Sequence, residues 1–199
     1  MIAISTKSAC AQMTTFGITA GAVLSNMSIS SEGESLNLDS KAGLTFGVMS
    51  NIPLGKSFGF QPALNYVQKG FNFTEEGEEK TTLKLNYLEL PLNFVYHSPG
   101  KKGQFFAGAG PTIACGIAAK AKYGDIEVKG HFGSGEDDVA KPIEIGANAL
   151  VGFQFVSGFN IAANYCRGFN NISVDSEDAT QRNYYFGLRF GYTFGGKKL

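Results

Sequence analysis

Apolar side chains alternate one for one with polar or small ones along most of this chain, over stretches longer than a strand of a soluble protein needs. Ile143, Ile145, Ala147, Ala149, Val151, Phe153 and Phe155 form one row, with Glu144, Gly146, Asn148, Gly152 and Gln154 on the other. Tyr184, Phe186, Leu188, Phe190, Tyr192 and Phe194 alternate in the same way with Asn183, Tyr185, Gly187, Arg189, Gly191 and Thr193. A period of two is that of a β-strand, whose successive side chains point to opposite faces; the i, i+3, i+4 spacing of a helix is sustained nowhere. The pattern predicts eight strands: Thr14 to Met27, Ala42 to Pro53, Phe58 to Phe73, Leu83 to Tyr96, Gln104 to Ala118, Ile143 to Phe155, Phe159 to Phe169 and Arg182 to Phe194. They run to about 11 to 16 residues, against about 5 to 6 for an ordinary strand and about 9 to 11 for a tilted strand crossing a bilayer. Such strands can span a membrane, which no helix of this chain can, since no run of about 18 apolar residues exists.

The connections alternate in length. A long one around Glu32 to Lys41 is followed by a short one at Leu54 to Ser57, then come Thr74 to Thr82, His97 to Gly103, Ala119 to Pro142, Val156 to Gly158 and Asn170 to Gln181. Long loops at one end and short turns at the other make an up-and-down barrel. Charge placement agrees. The totals, 17 basic and 17 acidic, cancel, so no basic footprint for nucleic acid is expected. Within the predicted strands the charged residues are Lys69, Lys84, Glu89, Glu144, Arg167, Arg182 and Arg189. The short-turn end and the C-terminal tail carry Lys56, Lys101, Lys102, Lys197 and Lys198. The long loops are acidic, through Glu75, Glu76, Glu78, Glu79, Glu136, Asp137, Asp138, Asp175, Glu177 and Asp178.

Alternation alone does not say which face points out. A lipocalin-like soluble barrel keeps its apolar rows inside around a ligand. Two features favour lipid outside. One row is large and aromatic while its partner is rich in Gly, Ala, Asn, Gln and Thr, which suit a narrow polar interior. The first, second and fifth predicted strands also carry no charge at all. The expected fold is therefore an all-β, eight-stranded antiparallel up-and-down transmembrane β-barrel with long extracellular loops and short periplasmic turns, in the cell outer membrane of a Gram-negative cell. Tyr66, Tyr96, Tyr165 and Tyr192, toward strand ends, are the candidate aromatic girdle. Pro62, Pro91 and Pro111 each remove a ladder donor, so bulges or locally unpaired positions are expected there.

Parity turns Glu89 and Arg189 inward, on strands lying across the barrel from each other, and predicts that they pair. Lys69 and Glu144, also inward and nearer the loop end, are candidates for a second pair, and together the four fill a lumen without an open channel. Residues 1–11 read as a signal-peptide remnant, with Ala9-Cys10-Ala11 as a small-x-small cleavage site, and residues 12–199 as one barrel domain. Cleavage leaves Cys115 and Cys166 on separate strands, so no disulfide framework is indicated. His97 and His131 fall at opposite ends and no nucleophile elbow accompanies either, so no enzyme is expected. Asp125, Glu136, Asp137 and Asp138 lack the spacing of a calcium loop and read as a solvated acidic loop. No cofactor is expected. The partners expected are outer-membrane lipid, lipopolysaccharide and the barrel-insertion machinery. Two roles stay open: a structural, envelope-bracing or loop-display barrel, or one that binds or transports a small or lipidic ligand.

Several short motifs, in order, resemble the PorT-like outer-membrane β-barrel proteins of Bacteroidetes-type bacteria. They are Phe16-Gly17-Ile18 with Gly21 and Leu24-Ser25-Asn26; Gln61-Pro62 with Tyr66 and Gln68-Lys69-Gly70; Tyr87-Leu88-Glu89-Leu90-Pro91-Leu92; Gly108-Ala109-Gly110-Pro111; and Tyr165 with Gly168-Phe169-Asn170-Asn171-Ile172. The resemblance implies an outer-membrane barrel with both termini in the periplasm, and little about activity. The chain departs from a common pattern at its end, where Phe194 is followed by Gly195-Gly196-Lys197-Lys198-Leu199.

Overall fold

A computed structural model describes residues 13–31, 34–35, 38–74, 79–124, 126–135, 138–174 and 179–195. The expected signal remnant, and the acidic residues Glu75, Glu76, Glu78, Asp125, Glu136, Asp137, Asp175, Glu177 and Asp178, lie outside them. The strands are β1 (Thr15–Ser31), β2 (Glu34–Ser35), β3 (Asp39–Pro53), β4 (Phe58–Phe73), β5 (Thr81–His97), β6 (Gly103–Tyr123), β7 (Ile126–Gly130), β8 (Ile143–Phe155), β9 (Phe159–Gly168) and β10 (Ala179–Phe194).

Eight of these are long, and each pairs antiparallel with its neighbours in the order β1, β3, β4, β5, β6, β8, β9, β10. The last returns to the first: β10 pairs with β1 from Phe16 opposite Phe194 to Ser31 opposite Ala179, which closes the barrel. The two short strands extend the wall at the long-loop end, β2 on β1 and β7 on β6. The 119–142 connection is thus a correction to the sequence: its first part continues β6 and returns as β7. Its later part, with Phe132 and Ala140 bridged, packs into the barrel mouth.

The outer face follows from the alternation. Phe16, Phe94 and Phe186 are 63%, 60% and 60% exposed, and Ile18, Leu44, Phe46, Leu88, Ile113, Ile145, Leu188 and Phe190 share that face. A continuous apolar belt of this size is compatible with hydrocarbon and not with water. It excludes the lipocalin-like arrangement, which needs these rows inside. The interior row instead carries Thr45, Asn65, Lys69, Glu89, Asn93, Glu144, Asn148, Asn164 and Asn183, all buried.

The prolines are accommodated by lapses in pairing that leave the register intact. Between β4 and β5 the pairing skips from Pro62 opposite Leu92 to Asn65 opposite Glu89. Between β5 and β6 it skips from Pro91 opposite Thr112 to Phe94 opposite Ala109. The bulges fall elsewhere, between Ser40 and Thr45 of β3 and at Asn86 and Tyr87 of β5. Inward glycines give large inward side chains room to lie across a neighbouring strand. A Cβ on Gly168 would meet the Glu144 carboxyl at 3.1 Å, and one on Gly47 would meet Leu64 O and Asn65 Oδ1 at 2.3 Å.

A closed barrel has no free edge from which to unravel, so the folded protein is expected to run faster than the boiled protein on a detergent gel. Gly47→Val, forced against main chain, should lower the conversion temperature, consistent with about 1 to 3 kcal/mol of overpacking. A gel-shift melt checks both, and equal migration before and after boiling would count against the closed barrel.

Candidate functional site in the barrel lumen

Side chains from five strands converge at mid-height inside the barrel. Lys69, on the inward row of β4 with Asn65 and Val67, is fully buried, and its Nζ lies 2.7 Å from Glu144 Oε1 of β8 and 3.0 Å from Glu89 Oε2 of β5. One ammonium therefore serves two carboxylates. The rings of Tyr87 and Tyr185 flank it, with Nζ 4.7 Å and 5.4 Å from their centroids.

The remaining carboxylate oxygens are also satisfied, which matters because a buried ion left unpaired is costly. Asn183 Nδ2 of β10 donates to Glu144 Oε2 at 2.6 Å, and the Tyr185 hydroxyl donates to Glu89 Oε1 at 2.5 Å. Cys166 Sγ of β9 lies 3.8 Å from Glu89 Oε2.

The structure brings Lys69 and Glu144 together. It does not pair Glu89 directly with Arg189. Arg189 lies four residues further along β10 than Tyr185, toward the short-turn end, and its Nη2 donates to the Tyr185 hydroxyl at 3.2 Å. Tyr185 thus stands between the guanidinium and Glu89. The physical reason is stagger: parity fixes the face a residue occupies, while the height at which two inward residues meet depends on the register of every intervening ladder. Tyr87, Tyr185, Asn183 and Cys166 were not assigned to this cluster from the sequence. The first three share the inward row of Glu89 or Arg189, whereas Cys166 shares its row with no charge, since Arg167 of β9 faces outward.

Above and below the charges the lumen changes character. Toward the long loops Met27, Leu85, Tyr87, Ala114, Ala119, Ala140 and Ile172 form a buried apolar cluster, with Phe132 of the folded-in loop 5.3 Å from the Tyr87 ring centroid. Lys141 N donates to Ile172 O, tying two long connections together over the mouth. Toward the short turns the lining is amide-rich: Asn148 donates to Asn93 and Asn164 donates to Asn148, both at 3.0 Å. A cavity of about 50 Å³ remains there beside Gln61, Asn65 and Arg189.

The four girdle tyrosines all lie on the outer face, each against a phenylalanine: Tyr66 with Phe46 at 4.8 Å, Tyr96 with Phe58 at 5.3 Å, Tyr165 with Phe186 at 4.7 Å and Tyr192 with Phe194 at 5.1 Å. Tyr96 and Tyr192 sit at the short-turn rim, and Tyr66 and Tyr165 lie higher. Cys115 is exposed on the outer face and Cys166 buried in the lumen, both as free thiols. His97 sits at the short-turn end of β5, where its ring nitrogen is 3.4 Å from Asn51 Nδ2, and His131 is at the other end. Asp138 Oδ2 accepts from Gly135 N at 2.9 Å within its own turn.

Lys69→Met strips both carboxylates of their cation and should cost about 3 to 5 kcal/mol. Lys69→Met combined with Glu89→Gln and Glu144→Gln should regain most of that loss. Urea titration of the folded band in detergent checks the pair of variants; an additive loss in the triple variant would show that the three groups do not act as one unit.

The comparisons with known proteins bear on the barrel as a whole. Residues 9–174 match the outer membrane protein beta-barrel domain family. No curated protein matches the chain in sequence. Among solved structures, the outer membrane protein OprG from Pseudomonas aeruginosa superposes with a TM-score of 0.56 at 15% identity, over 92% of this chain and 96% of that one. Neisserial surface protein A gives 0.51 at 14% identity, over 91% and 99%. The outer membrane enzyme PagL gives 0.50 at 14% identity, over 88% and 98%. At these identities the likeness is one of fold. Together with the lipid-facing belt and the closed wall, the match places this chain in the cell outer membrane as a member of the outer membrane protein beta-barrel domain family.

Proposed function

We propose that this barrel is a plugged, non-enzymatic scaffold that braces the envelope or displays its loops, and that it does not conduct. The observation that carries this is the stacked lumen: a charge cluster of Lys69, Glu89 and Glu144 at mid-height, under an apolar cap made partly by a loop folded into the mouth. The cavity below the plug, about 50 Å³, has room for a few water molecules and not for a lipidic ligand. PagL is an enzyme on a similar barrel, but a shared fold carries no chemistry with it. In this chain the two histidines stand at opposite ends of the wall.

In this reading the long loops face the cell exterior and both termini the periplasm. An even number of strands brings the termini to one end, and Phe16 opposite Phe194 puts that end at the short turns. The ordered motifs quoted above support assignment to the PorT-like branch; the namesake's link to secretion does not travel with barrel motifs. Tyr96 and Tyr192, at the short-turn rim, serve here as headgroup anchors, while Tyr66 and Tyr165, opposite Leu88 and Phe186, belong to the belt itself.

Two outcomes follow. Purified protein in planar bilayers should give no steady single-channel conductance, and a steady conductance would overturn the plug. Protease added to whole cells should cut first within residues 74–82, 119–142 and 170–181; protection there with cutting at Lys101 or Lys102 would invert the topology.

A further inference from the structure

Beyond the apolar belt at the long-loop end, three lysines stand abreast on adjacent strands. Lys84 of β5 is directly opposite Lys120 of β6, and Lys120 is directly opposite Lys129 of β7. Lys122, further along β6, is opposite Glu127. Lys84 continues the outward row of Leu88, Leu90 and Phe94, and the ladder carries that face across to Lys120 and Lys129.

Like charges directly opposite on a ladder repel, with strands only about 4.8 Å apart. One carboxylate among the described residues joins the row: Glu127 Oε1, 2.5 Å from Lys120 Nζ. The hydrogen bond from Lys120, then its charge, and then the fields of Lys84 and Lys122 hold the Glu127 carboxyl below its ordinary range. Lys84, Lys120, Lys122 and Lys129 against Glu127 still leave a clear excess of positive charge on one small patch. Its height is telling. Lys84 lies about 13 Å along the strand beyond Leu88, at about 3.3 Å per residue, where hydrocarbon gives way to headgroups.

We propose that this lysine row binds the phosphate groups of lipopolysaccharide, the phosphorylated glycolipid of the outer leaflet, whose acyl chains then lie against Leu88, Leu90 and Ile113. The assignment rests on the orientation proposed above, which the protease experiment tests separately. An anionic headgroup cancels the cross-strand repulsion, and the belt beneath supplies a continuous surface for the chains.

The test is the affinity of the purified barrel, in neutral detergent, for bis-phosphorylated lipid A. Lys84→Gln, Lys120→Gln and Lys129→Gln together should weaken binding about 100-fold, at about fivefold per lysine facing an anionic lipid. Lys101→Gln with Lys102→Gln, at the short-turn end, should leave it unchanged, and the corresponding triple arginine variant should bind like the parent. A heat-shifted gel band shows that each variant is folded; if the triple glutamine variant is not, Lys84→Gln alone should weaken binding about fivefold. Undiminished binding by the glutamine variants would overturn the proposal. So would equal affinity for dephosphorylated lipid A or for phosphatidylglycerol, which would mark general adhesion. A triple glutamine variant less stable in lipid-free detergent than Lys120→Gln alone would also overturn it, by showing that Lys84 and Lys129 are held by this protein's own acidic loop residues.

Discussion

A strand inside hydrocarbon can send its main-chain N–H and C=O groups only to another strand, and in this molecule that requirement is met by the seam between β1 and β10. Closure along that seam is long, running nearly the full length of both strands. Once it exists, the other features have little freedom. An even set of strands brings the ends of the wall together beside Phe16 and Phe194. The two faces become fixed solvents, lipid outside and a narrow interior within. A one-residue slip of β4 or β8 against its neighbours would then put Lys69 or Glu144 into hydrocarbon and a phenylalanine into the lumen.

The interior answers a second constraint. Eight strands enclose a space that side chains themselves must fill. Charged groups can fill it only where they meet, and Lys69 meets both Glu89 and Glu144 while the tyrosine rings and Asn183 close off what remains. The glycines facing Glu144 and Asn65 are part of the same packing, since a side chain on either would occupy the volume these groups use. The plug and the wall are in this sense one object.

Period-two alternation made the strands, their faces and the barrel legible in the sequence, because the backbone forces side chains to alternate whatever the tertiary context. Faces could therefore be assigned to Glu89, Arg189, Lys69 and Glu144. Heights could not: the stagger between strands accumulates around the wall and leaves no trace in any single strand, so Lys69 emerged as the shared cation and Arg189 as a neighbour of Tyr185. The segment around Phe132 and Ala140 was equally opaque. It reads as a polar loop, and a few apolar residues there reveal their place in the mouth only against Tyr87 and Ile172, which are distant in sequence. The prolines signalled interrupted pairing, though not that the register would survive it.

Those interruptions carry a consequence for the mechanics of the wall. On β5 the pairing lapses on one side around Leu90 and Pro91 and on the other around Leu92 and Asn93, so the two gaps nearly coincide. A cylinder with adjacent missing rungs should bend there first. The buried Asn93 amide, however, reaches past Gly110 of β6, which has no side chain to obstruct it, and accepts a hydrogen bond from Asn148 of β8. Asn148 in turn holds Asn164 of β9. A chain of amides thus laces β5, β8 and β9 together from within at the level where the main-chain lattice is thinnest, and stiffness that the prolines remove from the wall is returned by its lining.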